Sequence, residues 1–68
     1  MTSDEKIRLN EILRAIKTDK RTGKTISSFE VRSENVINEL NDLGFECKIS
    51  RFYISGDRMV NGLVTIKY

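Results

Sequence analysis

The chain has 68 residues, 32% of them charged and 38% hydrophobic, which describes one small domain, residues 1–68, with a thin core. Twelve Lys and Arg against ten Asp and Glu give a net charge of +2, which permits an anionic partner without demanding one. A single cysteine rules out an intrachain disulfide, and the lack of histidine removes the usual catalytic triads and most zinc sites, so neither an enzyme nor a cofactor or metal is expected.

Residues 4 to 17 are expected to form a first helix, because Leu9, Ile12, Leu13 and Ile16 recur at three-and-four spacing and fall on one stripe. Thr2 and Glu5 stand at capping-box spacing, and Asp4 and Glu5 suit the positive end of the helix dipole. Ile7 lies far from the stripe, so it packs on another element or stays exposed. From Lys17 to Lys24 the period stops and four cations, Lys17, Lys20, Arg21 and Lys24, face one anion, Asp19, which reads as a basic surface loop. Gly23-Lys24-Thr25 has the ending of a phosphate loop, but Thr18 stands where that loop needs its first glycine, and a helix precedes it in place of a strand.

A second helix is expected from Ser28 to Leu43. Ser27 and Glu30 stand at capping-box spacing, Ile26 and Val31 fit a hydrophobic staple, and Gly44 supplies a left-handed terminator. Phe29, Val36, Leu40 and Leu43 would form its apolar arc, while Glu34, Glu39 and Asp42 face elsewhere as a solvated acidic surface. Beyond Gly44 the period becomes two: Phe45, Cys47 and Ile49 share one face of a strand, and Cys47 is expected to be a small core residue. The phase slips near Arg51, which predicts a bulge or bend. Ser55-Gly56-Asp57 and Asn61-Gly62 are turn signals, the second favouring a tight hairpin, and Val64, Ile66 and Tyr68 share a face of the last strand. The expected architecture is α+β: two helices followed by an antiparallel β-hairpin or three-stranded meander.

The run from Val36 to Phe45 (Val-Ile-Asn-Glu-Leu-Asn-Asp-Leu-Gly-Phe), the Ile-Ser start at Ile26 and the hairpin ending at Tyr68 resemble the C-terminal two-thirds of short winged-helix domains common in bacteriophage and prophage genes. The resemblance implies a recognition helix with Ser33, Asn35, Asn38 and Asn41 facing the groove, and a wing carrying Lys48, Arg51 and Arg58. Because that helix carries Glu30, Glu34, Glu39 and Asp42 against Arg32 alone, the phosphate contacts are expected from Lys17, Lys20, Arg21, Lys24, Lys48, Arg51 and Arg58. Lys67 belongs to the same set of cations in the C-terminal half.

The apolar runs are far shorter than the roughly 20 residues that cross a bilayer, and no leader pattern is read at the start, so a cytoplasmic protein with no membrane role is expected. If viral, it would act in the host cytoplasm. The leading expectation is a small non-enzymatic DNA-binding regulatory or accessory protein, with a homodimer as a way to enlarge its site. The alternative is a protein-binding module, such as an inhibitor or adaptor of a host protein, using Glu39 and Asp42 or the Phe52-Tyr53 edge.

Overall fold

The computed structural model describes every residue except Asp57, and the side chains of the others except Phe52, Ile54, Ser55, Arg58, Met59 and Val60. Helix α1 (Ser3–Arg21) is followed by strand β1 (Ile26–Val31), helix α2 (Glu34–Asp42) and the strands β2 (Glu46–Ser55) and β3 (Arg58–Lys67). The three strands form one sheet in the order β1-β3-β2, and both neighbours run antiparallel to β3. Strands β1 and β2 are therefore parallel to each other, linked through α2, with β3 inserted between them. The α+β class is as expected, but one strand lies between the two helices.

Helix α1 begins with the capping box foreseen from Thr2 and Glu5: each residue bonds the other's backbone N–H. It buries Leu9, Ile12 and Ile16, with Leu13 packed at the margin, and it leaves Ile7 exposed. It also runs about one turn beyond the expected end, so Lys17, Lys20 and Arg21 are helical and the loop is only residues 22–25. The polar sequence hid this turn, since it adds no apolar side chain to the core, yet Thr18 bonds back to the Arg14 carbonyl and Lys20 and Arg21 suit the negative helix end.

The expected helix start at Ser27 is corrected: Ile26–Val31 is the strand β1. Its exposure alternates, with Ser27, Phe29 and Val31 turned toward the core and Ile26, Ser28 and Glu30 turned away. Capping-box spacing occurs by chance in polar segments; here the ladder to β3, pairing Phe29 with Val64 and Ser27 with Ile66, decides the conformation. The helix begins instead after Ser33, whose hydroxyl accepts from the Asn35 N–H. It ends where expected, at Gly44, with φ of 94°.

Strand β2 keeps its predicted phase over Phe45, Cys47 and Ile49, and the register shifts between Ile49 and Arg51, where the bulge was expected. The Asn61-Gly62 turn is a second correction. Both residues lie within β3, Asn61 opposite Tyr53 and Gly62 between Val31 and Phe52. Reversal at Gly56, with φ of 65°, lets two ten-residue strands pair, a longer ladder than a turn at Asn61 could supply. Because β1 pairs only as far as Gly62, the β2–β3 hairpin projects past it.

The core lies between the helices and one sheet face. Ile12, Val31, Leu40, Val64 and Ile66 are fully enclosed, and Phe29, Phe45, Cys47 and Tyr68 pack around them. Cys47 is half-buried, and burial pushes its thiol pKa up, away from the reactive thiolate. No helix of the described residues is long and apolar enough to cross a membrane.

Candidate nucleic-acid interface

The helices cover one face of the sheet, and the other is open. Register sets its rows: Ile26, Lys67 and Glu46 across one end, then Ser28, Thr65 and Lys48, then Glu30, Leu63 and Arg51, then Asn61 and Tyr53 on the hairpin. The Thr65 hydroxyl is 3.1 Å from that of Ser28 and 3.0 Å from that of Ser50, so a line of hydroxyls crosses all three strands. Ser50 reaches this line because the bulge at its position keeps both it and Arg51 off the helix-covered face.

Two contacts join the basic end of α1 to this sheet. The Tyr68 N–H donates to the Thr25 carbonyl at 2.9 Å, and the Tyr68 hydroxyl donates to the Asp19 carboxylate at 2.6 Å. Burial and the Asp19 carboxylate raise the Tyr68 pKa, which keeps the hydroxyl a donor. The first bond places Lys24 and Lys67, each one residue before a bonded group, at the same rim. Lys20 lies over the Phe45 ring at 5.7 Å, so this cation is partly engaged by the fold.

Of the expected phosphate contacts, Lys17, Lys20 and Arg21 thus lie on the last turns of α1, Lys24 beside Lys67, and Lys48 and Arg51 on the open face. The side chains of Arg58 and Phe52 lie outside the described residues. Tyr53 is 61% exposed, on the hairpin next to the Arg51 row. Among the described residues the one ion pair is Arg8 with Glu11, so none of Lys24, Lys48, Arg51 and Lys67 is held in a salt bridge, although Glu46 stands directly opposite Lys67 on the same face. Lys67 is the position that ties the two groups of cations together, and the sequence marked it only as one of the cations of the C-terminal half.

On α2, Glu34, Asn38, Asn41 and Asp42 are exposed and Glu39 is half-buried. Ser33 and Asn35, the first two groove positions that the family likeness implied, are engaged elsewhere: both donate to Glu5 of α1, Asn35 Nδ2 at 2.8 Å. Glu5 also accepts from the Thr2 N–H at 2.7 Å. Helices α1 and α2 therefore start side by side around one carboxylate, at the edge of a cleft of about 590 Å³ also lined by Arg8, Glu30 and Arg32. The cleft brings its own anion to the α2 N-terminus, and sequence spacing gave no sign of this long-range cluster.

The hydrogen bonds from Ser33, Thr2 and Asn35 lower the Glu5 pKa from 4.5 to about 2. Since the folded value lies below the unfolded one, this carboxylate adds stability above about pH 4.5 that is lost as pH falls toward 2. Thermal unfolding at pH 5 and pH 2.5 checks it. The wild type is expected to lose more melting temperature on acidification than Glu5→Gln, and equal losses would remove Glu5 from the acid response.

No protein-family model, curated protein or solved structure matches the chain.

Proposed function

We propose that the protein is a non-enzymatic DNA-binding accessory or regulatory protein that holds a phosphate backbone along the strip Lys24, Lys67, Lys48 and Arg51. The observation that carries this reading is the Tyr68 to Thr25 hydrogen bond, which brings the backbone beside Lys24 and that beside Lys67, 43 positions apart in sequence, to one rim of the sheet. From that rim, diagonal neighbours on adjacent strands lie about 7 to 8 Å apart, close to the repeat of an extended nucleic-acid backbone. Lys67 and Lys48 are such a diagonal pair, and Arg51 continues the line toward the hairpin. The hydroxyls of Ser28, Thr65 and Ser50 supply neutral donors on the same face, and Tyr53 offers an exposed ring for stacking.

The acidic surface of α2 argues against its entry into a groove, because carboxylates approaching phosphates repel them. It supports a second reading, a protein partner with a basic patch seated on Glu39 and Asp42. Polarisation titrations of labelled DNA separate the two. Lys24→Glu with Lys67→Glu is expected to weaken binding at least tenfold, whereas Glu39→Lys with Asp42→Lys leaves it unchanged or stronger. Affinity indifferent to the Lys24 and Lys67 reversal would overturn the strip and leave the α2 surface as the docking face.

A further inference from the structure

The two edge strands of the sheet are treated differently by the fold. On β1, the Arg8 guanidinium donates twice to the Glu30 carbonyl, from Nε at 3.0 Å and Nη2 at 2.8 Å, so part of that edge is already taken. Strand β2 pairs with β3 on one side, and among the described residues no strand pairs with its other edge, although the N–H of Phe45, just before the strand, donates to the Leu40 carbonyl at 3.1 Å. The regular part of that edge is short and sharply bounded. Gly44, with φ of 94°, precedes it, and the register shift after Ile49 ends it.

Between those bounds the residues are Phe45, Glu46, Cys47, Lys48 and Ile49, a pattern that reads apolar, acid, small, base, apolar. We infer that this edge pairs antiparallel with the same edge of a second copy, on a two-fold axis through Cys47, joining two sheets into one of six strands. In that register Glu46 of each copy stands opposite Lys48 of the other on the open face, giving two ion pairs. Phe45 stands opposite Ile49 on the helix-covered face, where Ile49 is now 42% exposed. Neither Glu46 nor Lys48 has an ion-pair partner among the described residues.

The charges also exclude the neighbouring registers. An axis through Glu46 sets that carboxylate against its own copy, and an axis through Lys48 does the same with two ammonium groups; like charges directly opposite are destabilising. An axis between two residues sets open-face side chains against helix-side ones, which the pleat forbids. Axes through Phe45 or Ile49 would run the pairing past Gly44 or across the bulge, so Cys47 is the centre that uses the whole segment. An isologous contact of this kind closes at two copies. The inference stands apart from the proposed DNA binding, though Lys48 serves both, since an ammonium has three donors.

Sedimentation equilibrium of the full chain, with reductant and without nucleic acid, tests it up to millimolar concentration, because so short an edge makes a weak dimer. The wild type is expected to move from 7.9 kDa toward twice that mass as concentration rises. Glu46→Lys and Lys48→Glu, each at an exposed position, are expected to remain at the monomer mass, and the double variant carrying both is expected to dimerise again. Recovery in the double variant shows that the single variants lost pairing and not folding. A wild type that stays monomeric, a dimer that survives either single reversal, or a double variant that stays monomeric would overturn the inference.

Discussion

Truncating Leu40 or Ile12 to Ala is expected to leave a large part of the protein unfolded at 37 °C. Both side chains are 0% exposed, and they come from the two helices that cover the sheet. Removing a buried Leu or Ile side chain to Ala costs about 2 to 5 kcal/mol, made up of lost transfer energy and the cavity left behind. At 0.05 to 0.15 kcal/mol per residue, a chain of 68 residues has only about 3 to 10 kcal/mol in total. One truncation therefore removes half or more of the stability at the lower end of that range. Urea unfolding followed by far-ultraviolet circular dichroism measures it: the midpoint is expected to fall with little change in slope. An unchanged midpoint for both variants would mean that the helices do not bury these side chains against the sheet.

Neutralising the proposed strip is expected to produce the other large effect. Each phosphate neutralised by a protein cation contributes about 0.9 to the dependence of log affinity on log salt for duplex DNA, and about 0.7 for a single strand. Replacing Lys24, Lys48, Arg51 and Lys67 by Ala together is expected to flatten that slope by about 3 to 4 for a duplex. Affinity at low salt falls with it. All four are exposed, and none is in an ion pair among the described residues, so folding should be little affected. Lys20 is left out because it lies over Phe45 and its loss would mix packing with binding. If the slope keeps its wild-type value, the phosphates are held by other residues.

The parts of this fold that the sequence discloses are those specified by neighbours along the chain. The capping box at Thr2 and Glu5, the apolar stripe Leu9, Ile12 and Ile16, the helix stop at Gly44 and the bulge before Arg51 are all local signals, and each is found in place. The segment Ile26–Val31 shows where such reading fails. Ser27 and Glu30 satisfy a helix-start pattern, while the alternation of Phe29 and Val31 satisfies a strand over the same six residues. Pairing with a strand more than thirty positions later resolves the conflict. Asn61-Gly62 is a similar case, a strong turn signal overridden by the longer ladder that forms when the chain reverses at Gly56.

For the candidate site, composition disclosed the cations and topology supplied their arrangement. Nothing local to Lys24 or Lys67 indicates that they share a rim; that follows from Tyr68 bonding Thr25 and Asp19. The same holds for Glu5, which reads as a helix cap yet also organises the start of α2 through Ser33 and Asn35. A carboxylate with two structural duties has no special sequence signature.

The measurement that bears most directly on the proposed function is the affinity of the wild-type protein for labelled single-stranded and duplex DNA at about 50 and 200 mM salt. The strip of Lys24, Lys67, Lys48 and Arg51 predicts measurable binding at the lower salt and a steep fall at the higher. No binding at about 50 mM, or binding that salt leaves unchanged, would contradict a phosphate-holding surface.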